Sequence, residues 1–184
     1  MLKTLFRKRA NEASGEALYA AVSAQARQPA FYTDLGVADR IDARFEIYTL
    51  HVLLLILRLR DEDEGEPGKG VAAAQGLFDT YVSALDNVLR ELGVSDVSMA
   101  RKMRTLGEAL YGRMTAYEAP LRAGDDEALA THLARNVFES EDADRGRALA
   151  DYALAAQATL AGQAFRDVLT APSWPEVMGP EIRA

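Results

Sequence analysis

Residues 41–60 read IDARFEIYTLHVLLLILRLR, and this stretch decides the fold. From Leu50 to Leu57 every position is apolar except His51, and a helix that is apolar all round must be buried. A strand is the competing assignment for a short apolar run. Here twenty residues flanked by charge, with leucine outnumbering valine, favour a helix. A bilayer span needs roughly 17 to 25 mostly apolar residues, whereas Arg44, Glu46, His51, Arg58 and Arg60 crowd a core too short to cross. Arg44, His51 and Arg58 are spaced seven apart, so they share one stripe that drifts only about 20° per heptad. A cation-bearing stripe on a central helix needs a counterpart.

The rest of the chain must cover this helix. With 184 residues and 49% of them apolar, the sequence is long enough for one domain with a sizeable core and too apolar for wholesale disorder. Its 33 alanines and long stretches without glycine or proline point to an all-α bundle of about six helices around residues 41–60. The expected division is a basic N-terminal tip at 1–10, a helical domain at 11–169 and a proline-containing tail at 170–184. Cysteine is absent, which removes disulfides, thiolate zinc sites and cysteine nucleophiles. A net charge of -7 argues against nucleic acid as a direct ligand of the whole surface. The N-terminal segment has no apolar core long enough for a secretory signal, so a cytoplasmic location is expected.

In chain order, Lys3, Arg7, Lys8 and Arg9 alternate with Leu2, Leu5 and Phe6. This pattern makes Lys3, Phe6, Arg7, Lys8 and Arg9 candidates for contact with an anionic membrane surface, against a plain solvated terminus. The first helix is expected from Ser14 to Gln28, ended by Pro29, with Leu18, Ala21, Val22 and Ala26 inward. Gly36 reads as a turn and Asp39 as a cap for the central helix. The acidic stretch 61–70 is a loop. A helix over 71–92 carries Leu77, Phe78, Tyr81, Leu85, Val88 and Leu89, with Gly93 where a left-handed cap belongs. The next helix starts at Ser95 or Asp96 and continues to Tyr117, with Met103, Leu106, Leu110, Met114 and Tyr117 as its core stripe. Its outer side is basic through Arg101, Lys102, Arg104 and Arg113. Pro120 is expected to break the chain before a helix that presents Leu129, Leu133 and Val137. A last helix over 145–169 turns Leu149, Tyr152, Ala153, Ala156, Leu160 and Ala164 inward, and Trp174 either pins the tail or is exposed.

The sequence shows little chemistry. Neither His51 nor His132 has a second ligand type at metal-binding spacing, and phosphate loops, dinucleotide glycine patterns and nucleophile elbows are missing. No catalytic residue, metal site or cofactor is expected. A hydrogen-bonded structural histidine is the plain reading of His51; a haem or small molecule held around it is the alternative.

Several stretches nevertheless form an ordered set: FYTDLGVADRIDARF leading into LHVLLLILRL, then LFDTYVSALDNVLRELGVSD, LYGRMTAYEAPL and LARNVF. Together they resemble the ubiquinol-cytochrome c chaperone family, the assembly factors for cytochrome b of the bc1 complex. The matching positions include Phe31, Tyr32, Gly36, Asp39, Arg44, His51, Arg58, Phe78, Asp86, Arg90, Gly93, Tyr111, Gly112, Arg113, Tyr117, Arg135 and Asn136, and Ala43 departs from an expected glycine. The resemblance implies a noncatalytic helical chaperone that attends newly made cytochrome b at the inner membrane. Mitochondrial members act with a small partner near the ribosome, and this chain looks like a bacterial member. Arg113 beside Tyr111 and Gly112 suits a client-facing group, because arginine and tyrosine favour recognition surfaces. The competing reading pairs Arg113 with a core carboxylate. The client-contact candidates are Arg101, Arg104, Tyr111, Gly112, Arg113 and Tyr117. If residues 41–60 and 71–92 form an antiparallel hairpin, numbers summing to about 130 face each other. Asp86 is then the expected partner of Arg44, and Asp79 of His51.

Overall fold

Residues 50–57 are all buried, and the helices that bury them define the architecture. The computed structural model describes the backbone of residues 2–61 and 68–179, and side chains over 14–61 and 68–179. Its helices are α1 (Leu2–Ala26), the single turn α2 (Ala30–Thr33), α3 (Ile41–Arg60), α4 (Lys69–Glu91), α5 (Asp96–Ala123), α6 (Asp126–Val137), α7 (Asp144–Ala161) and the single turn α8 (Phe165–Val168). No strand occurs among the described residues. The fold is all-α with α3 at its centre, touching α1, α4, α5, α6 and α7.

Small residues set the closest approaches. A methyl group at Gly15 of α1 would collide with the Gly76 carbonyl oxygen of α4, and one at Gly146 of α7 would strike the backbone of Ala130 in α6. Thr49 Oγ1 of α3 lies 2.8 Å from Tyr81 OH of α4, and their numbers sum to 130, the register expected of an antiparallel pair. Gly93 and Gly124 occupy left-handed backbone at φ 79° and 66°, and each closes a helix. Asp125 caps α6 by accepting the Ala128 N–H at 2.9 Å.

Four boundaries differ from those read in the sequence. Helix α1 begins at Leu2 instead of Ser14 and ends at Ala26; no glycine or proline lies between Leu2 and Ser14 to stop it. Asp39 is not the cap of α3. Arg40 holds that position without a side-chain cap bond, and Asp39 is engaged by Arg44. Pro120 does not break the chain: it is buried inside α5, which continues to Ala123. Burial of Pro120 and Leu121 against the core overrides the helix-breaking tendency, and the Pro120 carbonyl is satisfied by the Asp125 N–H at 3.0 Å. The last helix stops at Ala161, with Gly162 after it. Arg58 completes that end by donating from Nε to the Leu160 carbonyl and from Nη2 to the Gln163 carbonyl, each at 2.8 Å. The chain then turns Phe165 and Val168 of α8 into the core, leaving Ala164 exposed.

Along α5 the expected apolar stripe is only half realised. Leu110 and Tyr117 are buried, whereas Met103, Leu106 and Met114 are half-buried; in α4, Val88 is exposed. Trp174 packs its ring on His51 at a centroid distance of 5.2 Å, so the tail is pinned to the body. Gln163 holds it further, donating to the Ser173 carbonyl and accepting the Ser173 N–H. The acidic loop at 62–67 and the side chains of Lys3, Phe6, Arg7, Lys8 and Arg9 lie outside the described residues.

Candidate functional site

The stripe Arg44, His51, Arg58 finds its counterparts away from α4. Arg44 Nε donates to Asp39 at 2.6 Å, and its guanidinium lies over the Tyr32 ring. Asp86, the expected partner, is taken by Arg90 one turn along α4 at 2.7 Å. His51 does not meet Asp79, which is exposed and accepts from Gln75 at 2.7 Å. The register expected of α3 and α4 is correct, but the stripe points to a different neighbour. It faces the α2 connection and α7, while Thr49 and the face carrying it look at α4.

His51 is fully buried, and its bonds fix its tautomer. Nδ1 lies 2.7 Å from the Ile47 carbonyl, which can only accept, so Nδ1 carries the proton. Nε2 then accepts from Tyr152 OH at 2.8 Å, and Tyr152 accepts in turn from Gln25 Nε2 at 3.0 Å. Phe31, Tyr152 and Trp174 surround the ring. Burial lowers its pKa to about 4. Both ring nitrogens are used, so a haem or metal ligand at His51 would have to displace Tyr152. Burial likewise raises the Tyr152 phenol, with the Gln25 bond opposing it.

A second polar cluster joins α5 to α3. Glu46 is a buried carboxylate on the most apolar helix, and Arg113 grips it with Nε–H to both oxygens at 3.0 and 3.1 Å and Nη2–H to Oε1 at 2.7 Å. Burial raises the Glu46 pKa, and the Arg113 bond opposes that rise. One turn further, Tyr117 is buried and accepts from Asn136 Nδ2 of α6 at 2.9 Å; burial raises its phenol as well. Arg113 and Tyr117 are therefore interior anchors of α5 and not free recognition groups. The competing reading of Arg113 as the partner of a core carboxylate is the one found, although sequence reasoning did not name Glu46, a carboxylate in an apolar helix that demands a partner.

The remaining candidates stay outside. Tyr111 is 75% exposed, and nothing stands within 4 Å of where a Gly112 side chain would begin. Arg101 and Arg104 are exposed as well. On a helix of 3.6 residues per turn, Val97, Arg101, Arg104, Glu108 and Tyr111 form one stripe roughly opposite Leu110 and Tyr117. Most arginines elsewhere hold acids, as Arg40 holds Glu139, Arg122 holds Asp61 and Glu118, and Arg135 holds Glu141. Arg27 and Arg145 lie over the rings of Tyr48 and Phe138. Among the described residues no helix is long and apolar enough to cross a membrane, and no three His, Asp or Glu side chains are grouped to hold a metal. A groove of about 790 Å³ runs between α7 and the tail, lined by Leu35, Ala148, Tyr152, Ala155 and Met178, with Asp151 and Glu176 at its sides.

The ubiquinol-cytochrome c chaperone model matches residues 33–174, from the end of α2 to Trp174 in the tail. The chain belongs to the ubiquinol-cytochrome c chaperone family. It is also similar to the crystal structure of the Cbp3 homolog from Brucella abortus, with 32% identity and a TM-score of 0.81 over 96% of this chain and 98% of that one. None of the curated proteins compared with it matches. The family match contains α3, the whole of α5 and the Glu46, Arg113, Tyr117 and Asn136 cluster, with His51 and Tyr152 of the other cluster but not its Gln25, so the α5 anchors and the open face of this chaperone-family fold lie within the family region.

Proposed function

We propose that this protein is a noncatalytic assembly chaperone of the ubiquinol-cytochrome c reductase (bc1) complex, that it binds newly made cytochrome b, and that it associates peripherally with the inner membrane from the cytoplasmic side. The family match over residues 33–174 carries this reading. The open outer face of α5 supports a contact surface for the client. Tyr111, exposed beside the bare Gly112, offers an aromatic side chain and room for a helix to approach it. Arg101 and Arg104 lie on the same face nearer the start of the helix, at a place suited to client or membrane.

Affinity capture of the tagged full-length protein from detergent-solubilised membranes, with identification of bound chains, tests the proposal. Cytochrome b is the expected partner. Capture should drop at least tenfold for Tyr111→Ala combined with Gly112→Gln, and a deletion strain should lose bc1 absorbance while other respiratory complexes stay near normal. Unchanged bc1 content in the deletion strain would overturn the assembly role, and undiminished capture by the double variant would move the client surface elsewhere.

A further inference from the structure

Arg101, Lys102 and Arg104 are the only arginine and lysine side chains among the described residues with no ion pair, hydrogen bond or aromatic ring as partner. They sit together in the first half of α5, in a chain whose net charge is -7 and whose acids take up most of the other described arginines. The same place collects exposed apolar side chains. Leu92 is 55% exposed just before the Gly93 turn, and Val97, in the first turn of α5, is 96% exposed. Between Asp96 and Ala109 only Met99 is fully buried, so this half of α5 stands away from the body. Nearby, Asp96 is held by Arg90, while Glu91 and Glu108 are exposed.

We infer that the α4–α5 turn and the first half of α5 dock on an anionic lipid surface, Leu92 and Val97 entering the headgroup boundary and Arg101, Lys102 and Arg104 meeting lipid phosphates. This deepens the peripheral association proposed above by naming the element responsible. Apolar residues at the projecting end can bury area in the headgroup boundary while cations one and two turns behind add attraction to anionic lipid, the two terms that set interfacial binding. Arginine and lysine stems reach past the apolar contact to the headgroups. A protein partner is the weaker occupant for these cations. The cytoplasmic flanks of an inner-membrane client carry excess lysine and arginine, which a patch of unpaired cations repels.

Flotation of the purified full-length protein tests the inference, with phosphatidylcholine–phosphatidylglycerol vesicles against phosphatidylcholine alone, at low and high salt. The wild type should float with the anionic vesicles only, and less at high salt. Changing Arg101, Lys102 and Arg104 to glutamine should lower the partition about 100-fold, as expected for three headgroup-facing cations. Leu92→Ser with Val97→Ser should lower it about tenfold. Circular dichroism should be unchanged, because all five side chains are exposed and unpaired. A variant with Lys3, Arg7, Lys8 and Arg9 changed to glutamine separates the N-terminal tip from this element. Wild-type flotation of both α5 variants would overturn the inference while leaving peripheral association standing. Failure of the wild type to float, with capture of cytochrome b lost in the cation variant, would overturn it in favour of a protein partner. Lost flotation with capture retained supports it independently of the client reading.

Discussion

The two halves of α5 carry the same residue types and put them to opposite use. In the second half Arg113 and Tyr117 are drawn inward, one by Glu46 of α3 and the other by Asn136 of α6. In the first half Arg104 faces outward, as does Tyr111 just past the midpoint, and no carboxylate or amide from another helix reaches the arginine. Nothing in the local sequence distinguishes the two arginines, whereas apolar periodicity already set Tyr117 in the core stripe and left Tyr111 out of it. For the arginines the difference comes from what stands opposite, since α3 and α6 flank the second half and the first half extends past them; Tyr111 is open because it lies on the face of α5 opposite Leu110 and Tyr117. The helix is thus a clamp at one end and an open surface at the other.

Replacing Arg113 with alanine tests the clamp most severely, because it leaves Glu46, whose side chain is only 6% exposed, without a counter-charge. A loss of about 3 to 4 kcal/mol in urea unfolding is expected, against a change within about 0.5 kcal/mol for Arg104→Ala. Glu46→Leu combined with Arg113→Met should recover much of the loss, since an apolar pair of similar volume replaces the ions. Equal effects of Arg113→Ala and Arg104→Ala would erase the distinction between the halves.

Protonation sharpens the contrast between interior and surface. The pKa of His51 falls from 6.5 in the unfolded chain to about 4 in the fold, so the unfolded state binds the proton more readily between these values. Its contribution is present above pH 6.5 and is lost as the pH falls toward 4, on the order of 3 kcal/mol at the limit for this fully buried ring. Glu46 acts in the opposite sense. Its pKa is raised, so its contribution is present below the unfolded carboxylate value and is lost as pH rises through the folded one. Urea midpoints of the wild type should fall on acidification through this range, and those of His51→Gln should not. An equal slope in the two proteins would show that His51 does not titrate with unfolding.

The smallest difference concerns the tyrosines. Tyr117→Phe removes the acceptor of the Asn136 amide and should cost about 1 kcal/mol, while Tyr111→Phe should be neutral in unfolding. A cost at Tyr111 comparable to that at Tyr117 would mean that the outer face is covered by the protein itself.

The legible part of this protein was local. The core Leu50–Leu57, apolar except at His51 and flanked by charge, marked Ile41–Arg60 as one helix with bounds that the fold reproduces, because so apolar a run must be buried and admits few alternatives. Gly93 marked a helix end, since positive φ favours glycine. Even the pairing register of α3 with α4 followed from loop position, as Thr49 and Tyr81 show.

Choice of partner was not legible. Arg44 reaches a residue five positions back, His51 reaches Tyr152 a hundred residues on, and Arg58 closes the end of α7. Each choice depends on how far α3 is rotated toward α7, and seven-residue spacing says which side chains share a stripe without saying which helix that stripe meets. The same holds for Pro120, kept helical by burial, and for the final helix, ended at Gly162 where Arg58 takes the freed carbonyls. The sequence by itself determined the helices, the buried centre and the family, because apolar periodicity, glycine punctuation and ordered motifs are written along the chain. Tertiary structure alone decided which arginines are anchors and which remain open, because a buried charge is settled by the neighbour that packing brings within hydrogen-bond reach.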